Sequence, residues 1–131
     1  MKLNPDCIRD IMFYLEEHLS ISSELEIEEV SVYTLEKALS YPIQELANTL
    51  FALDDAGFIE INYDFGSNRI DILNVSRITY GGYQFIESVR PEPVWNKVKS
   101  VGRHVGSFSM NTITQVATSV LTTMVNSQLN L

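Results

Sequence analysis

Cysteine is nearly absent. The 131 residues hold one, Cys7, so no disulfide forms within the chain and disulfide-stapled small folds are excluded. Cations are scarce as well: nine Lys and Arg stand against seventeen Asp and Glu, a net charge of −8. Such a chain repels phosphate backbones at long range, which excludes histone-like and polybasic binders. No apolar run approaches the roughly 20 residues of a membrane-spanning helix. None of signal-peptide length follows the opening Met1-Lys2-Leu3-Asn4-Pro5-Asp6, so the expected compartment is the cytoplasm. Also missing are a Gly-rich phosphate loop, a serine nucleophile elbow and a zinc-type cysteine pattern. His18 and His104 are far apart in sequence, and Cys7 and His18 lie about three helical turns from each other. Asp64-Phe65-Gly66 spells a kinase metal-binding tripeptide, but the kinase glycine loop, lysine and catalytic loop are not there. Asp54, Asp55, Asp64 and Asp71 read as solvated acids rather than cation ligands. The expectation is a protein that is not an enzyme, with no catalytic residue, no metal and no cofactor.

What is present is apolar material for one core. Hydrophobic residues make up 45% of the chain and charged residues 20%, a globular balance. Charge is unevenly spread. Residues 1–90 carry six basic and sixteen acidic side chains, whereas residues 91–131 carry Lys97, Lys99 and Arg103 against Glu92, and nothing charged after His104. That shift, beside Pro91-Glu92-Pro93, predicts an acidic body over 1–90 and a helical extension over 91–131.

Within the body, Asn4-Pro5-Asp6 is a helix start. Ile8, Ile11, Met12, Leu15 and Leu19 then repeat at helical spacing to about residue 19. Leu25 and Ile27 alternate with Glu24, Glu26 and Glu28, predicting a short strand. A brief helix over 32–39 is expected to bury Leu35 and Leu39, four apart. Pro42 opens another, with Ile43, Leu46, Ala47, Leu50 and Leu53 on one face, and Gly57 closes it. Phe58 to about Asp64 and Arg69 to Val75 are two strands around the turn Phe65-Gly66-Ser67-Asn68. Thr79 caps a helix to Val89 with Tyr83, Ile86 and Val89 inward. Helix, strand, helix, helix, hairpin, helix is the order of a winged helix-turn-helix, so the expected fold is mainly α, of the α+β class, with a small β-hairpin wing and two C-terminal helices.

The stretches Met1 to Tyr14 (MKLNPDCIRDIMFY), Ile78 to Ile86 and Val94-Trp95-Asn96-Lys97 resemble an uncharacterised bacterial and phage family, the domain of unknown function 2513. The resemblance spans most of the chain. It implies a small protein of phage or prophage origin and transfers no catalytic residue.

A DNA-reading winged helix lays its third helix in the major groove. The outward positions here are Gln44, Glu45, Asn48, Thr49, Ala52 and Asp55, and the wing offers Ser67, Asn68 and Arg69. Gln and Asn can pair with adenine, which makes Gln44, Asn48, Thr49, Asn68 and Arg69 the candidate DNA-binding residues. Yet no Lys or Arg lies between residues 38 and 68, and phosphate contacts normally supply non-specific affinity.

In the extension, Val94, Trp95, Val98, Val101 and Val105 form an apolar stripe from Val94 to about Val105, which Gly102 weakens by about 1 kcal/mol against alanine. From Ser109 to Gln128, Ile113, Val116, Ala117, Val120, Leu121, Met124 and Val125 recur at spacings of three and four on an uncharged helix. That seam docks on its own body, pairs with a second copy or lies on a membrane; the missing Lys and Arg on its polar face disfavour the last. The expected function is protein binding with self-association through Ile113, Val116, Val120, Leu121, Met124 and Val125. The alternative is a DNA-binding transcriptional regulator using helix 42–56 and the wing around Arg69.

Overall fold

In the computed structural model, which describes residues 1–130, six helices and two small antiparallel sheets make an α+β, mainly helical chain. Contacts divide it into two compact units, Met1–Tyr83 and the residues from Gln84 onward. The first unit begins with α1 (Pro5–His18), where Asn4 Oδ1 accepts from the Asp6 N–H at 3.0 Å and Pro5 supplies the preset first position. It continues through β1 (Ser20–Ile21), β2 (Ile27–Glu28), β3 (Val30–Ser31), α2 (Val32–Ala38), α3 (Ile43–Asp55), β4 (Ile59–Gly66) and β5 (Arg69–Ile78). Helix α4 (Tyr80–Val89) crosses the division, and α5 (Glu92–Val105) and α6 (Met110–Leu129) belong to the second unit.

The first unit's core follows the predicted periodicities. Ile8, Ile11, Met12 and Leu15 of α1, Leu35 of α2, and Leu46, Leu50 and Leu53 of α3 are all fully buried, each contributing roughly 1.5–3 kcal/mol of apolar transfer free energy. The three-stranded sheet runs in the order β3-β5-β4. Its inner positions Val30, Ile59, Leu73, Val75 and Ile78 are buried, and Val75 pairs with both Val30 and Ile61. Gly57 takes φ +81 just past α3, a conformation that favours glycine. The hairpin turns through Ser67 and Asn68, the latter left-handed at φ 60.

Several elements differ from expectation. The strand read over 24–28 is split: Ile27–Glu28 pairs with Ser20–Ile21 as an exposed hairpin, and Leu25 sits in its turn at φ 67. The strand that joins the three-stranded sheet is instead Val30–Ser31, too short to show a two-residue alternation. Both hairpin strands run longer than the turn residues implied, to Gly66 and to Ile78. Thr79 does cap α4, accepting from the Gly82 N–H at 3.1 Å. Tyr83, however, is half exposed, and Phe85 is buried on that helix together with Ile86 and Val89. Leu35 of α2 is buried as expected, whereas Leu39 is half-buried just past that helix's end.

In the second unit α5 buries Val94, Trp95 and Val98, while Val105, expected on the same stripe, is exposed at the helix end. Gly102 is buried, and a Cβ there would lie 2.2 Å from the Phe108 ring. It is a packing requirement rather than a defect in the helix. Ser109 caps α6 by accepting from the Thr112 N–H at 3.2 Å. Among the described residues no helix is long and apolar enough to cross a membrane.

Candidate interaction surface

The α3 face toward the hairpin carries Ile43, Gln44, Ala47 and Phe51, spaced three and four apart. Part of it lines a groove of about 240 Å³ with Val32, Tyr33, Ile70, Asp71 and Leu73. The lining is apolar apart from Gln44 and Asp71, and Tyr33 is half exposed. Farther along α3, Phe51 meets the β4 aromatics. Its ring centroid lies 5.4 Å from Tyr63, edge-on, and 6.3 Å from Phe65, and the Tyr63 and Phe65 centroids are 5.1 Å apart. These rings satisfy each other only in part: Tyr63 stays 50% exposed and Phe65 60%. An apolar groove beside an open aromatic cluster is the kind of surface that marks interaction sites.

The candidate DNA-binding residues are dispersed by comparison. Gln44 is exposed on α3 and Asn48 half-buried, and Asn68 and Arg69 are exposed at the hairpin turn. Thr49 corrects the expectation. It is 1% exposed, its Oγ1 donates to the Glu45 carbonyl at 2.7 Å and lies 3.7 Å from Cys7 Sγ. A threonine can enter a helical core by returning its hydroxyl proton to the preceding turn, which hid it among the polar positions of α3.

The three arginines of this unit are engaged. Arg69 Nε lies 3.1 Å from Asp71 Oδ1, and Arg77 Nη1 lies 2.7 Å from Glu60 Oε1. The Arg9 guanidinium stands 4.5 Å over the Phe13 ring. A phosphate at either hairpin arginine would share the guanidinium with a carboxylate. On α5 of the second unit an open hollow of about 500 Å³ is lined by Lys97, Ser100, Val101, Arg103 and His104.

The seam on α6 is used unevenly. Ile113 is buried within the chain and Val116, Val120 and Leu121 are half-buried, whereas Met124 and Val125 are exposed. Ile113 is therefore already spent on intramolecular packing, and the open part of the seam lies toward the C-terminal end.

Titratable groups offer little chemistry. Burial, aided by the Glu45 and Asp10 carboxylates and opposed by the Thr49 hydroxyl, pushes the Cys7 thiol up to about 11, so it stays protonated at neutral pH. Burial and the bond its hydroxyl donates to Asp10 Oδ2 at 2.6 Å push Tyr41 upward too. His18 stacks on Tyr14 with ring centroids 3.9 Å apart, and its Nδ1 lies 2.8 Å from the Tyr14 carbonyl. Among the described residues no three His, Cys, Asp or Glu side chains gather where they could hold a metal ion.

Phe51, Tyr63 and Tyr33 were not among the residues singled out by sequence, and Phe65, read there as a turn residue, lies in β4 opposite Ile70. The signal was there, since Ile59, Ile61, Tyr63 and Phe65 keep an apolar alternation beyond the length the core needs. No curated protein and no solved structure shows a significant match to this chain. A family model described as "Hypothetical protein (DUF2513)" matches residues 2–109, ending at the Ser109 cap of α6, and the chain belongs to that family.

Proposed function

We propose that this chain is a non-enzymatic, winged-helix protein-binding module that also self-associates. The winged-helix reading is supported by the order α1, β3, α2, α3, β4, β5 and by the sheet order β3-β5-β4, which puts the long hairpin beside α3. The observation that carries the binding function is the character of the surface between α3 and that hairpin. A DNA reader needs cations there. This surface has an apolar groove and an aromatic cluster, and Arg69 at the hairpin turn pairs with Asp71. Self-association rests on the exposed, uncharged end of α6, where a second copy would cover Met124 and Val125.

DNA binding by a transcriptional regulator has only Gln44, Asn48, Asn68 and Arg69 to draw on. Fluorescence anisotropy of the full chain against a mixed pool of double-stranded DNA, at low and moderate salt, separates the two functions. The expected result is no binding at micromolar protein even at low salt. Micromolar binding that falls steeply with salt, and that Arg69→Ala weakens, would replace the present reading with the regulator.

A further inference from the structure

Strand β4 is the open edge of the three-stranded sheet. It pairs with β5 on one side, and among the described residues the order β3-β5-β4 puts no strand on the other. Edge strands are commonly blunted by bulges, lysine or proline. Both register shifts of this hairpin place the extra residue on β5, at Ser76 and Asp71, so β4 runs regularly from Ile61 to Asp64. It contains neither lysine nor proline. Its two faces differ sharply. Ile61, Tyr63 and Phe65 lie on the side of Phe51, and Glu60, Asn62 and Asp64 alternate with them.

Resting on the protein-binding reading above, we propose that β4 accepts an extended segment of a partner protein as a fourth strand. The register dictates the chemistry of that segment. Residues on one side of it would extend the aromatic surface of Tyr63 and Phe65 and must be apolar. Those on the other side would stand beside Asp64 and beside Glu60, which already pairs with Arg77, so a Lys or Arg is called for next to Asp64. The charge of the whole unit agrees, since residues 1–83 hold five basic and fifteen acidic side chains, a field that attracts a basic strand and speeds its encounter. A second copy of β4 brings no Lys or Arg to stand beside Asp64. Antiparallel self-pairing about Asn62 sets Glu60 against Asp64 twice, and like charges directly opposite each other are destabilising.

The test uses the full chain and two synthetic peptides of identical composition. One alternates Val or Phe with Lys, and the other holds its lysines in one block. The alternating peptide is expected to bind about tenfold more tightly by anisotropy and to slow hydrogen exchange of the β4 amides. Asp64→Lys, at an exposed position, should weaken it by a similar factor. Equal affinity for the two peptides overturns the proposal, as does failure of both to bind. Protection of α2 and α3 amides in place of β4 overturns strand addition while leaving a protein-binding groove intact. The DNA titration decides separately whether the regulator displaces the protein-binding reading on which this proposal rests.

Discussion

Thr49 and Gln44 are both polar residues of α3, and their fates are opposite. Gln44 is exposed, and Thr49 is buried beside Cys7 with its hydroxyl bonded to the Glu45 carbonyl. Gln44→Lys should therefore leave stability unchanged within about 0.5 kcal/mol. Thr49→Lys carries an unpaired charge toward the α1–α3 packing and should cost roughly 3 kcal/mol or more. Urea unfolding of the two variants checks this, and equal midpoints would mean that Thr49 lies at the surface. Composition could not separate them, because threonine has one hydroxyl that the helix itself can satisfy, while the amide of glutamine needs several partners. The apolar neighbours Leu46, Leu50 and Leu53 were legible because their spacing has only one helical face to occupy.

At the scale of elements, α5 sets helix propensity against packing at one residue. Replacing Gly102 by alanine would favour the isolated helix by about 1 kcal/mol. The added Cβ would fall 2.2 Å from the Phe108 ring, and such overpacking typically costs about 1–3 kcal/mol. The expected net effect of Gly102→Ala is destabilisation by about 1 kcal/mol, read as a lowered thermal midpoint. Placed on a Phe108→Ala background, the same change should stabilise, since only the propensity gain remains. Stabilisation by Gly102→Ala alone would show that Phe108 yields freely. The glycine was visible in sequence as a weak point of the helix. Its reason was not, because Phe108 lies beyond Gly106, the left-handed residue at φ 73 that ends α5, and reaches Gly102 only through the turn between α5 and α6. The same limit applies to Val30–Ser31, whose place in the sheet is set by pairing with Val75 and Asn74 rather than by any local pattern.

For the whole molecule, the open question is what covers the end of α6. Its twenty residues span about 30 Å, and the exposed Met124 and Val125 lie in its second half. Self-association through this end predicts a sedimentation coefficient that rises with protein concentration. The double substitution Met124→Glu and Val125→Glu should return the chain to a monomer with an unchanged thermal midpoint, since both side chains are exposed. Because the segment carries no charge after His104, salt should strengthen the association slightly or leave it unchanged rather than weaken it. A monomer at all concentrations would remove self-association from the proposed function and leave the α3–hairpin surface as its basis.

Sequence by itself determined the α+β class, the helix starts at Asn4 and Thr79, the core faces of α1 and α3, the two-strand hairpin and the family. Each is fixed by neighbours a few residues apart, through caps, turns and the 3.6- and 2-residue periods. Tertiary structure alone decided that Thr49 is core, that Gly102 answers to Phe108, that Arg77 is held by Glu60, and that Phe51, Tyr63 and Phe65 gather beside an apolar groove. Those outcomes depend on groups brought together across elements, where burial and charge pairing override the local preference of any one residue.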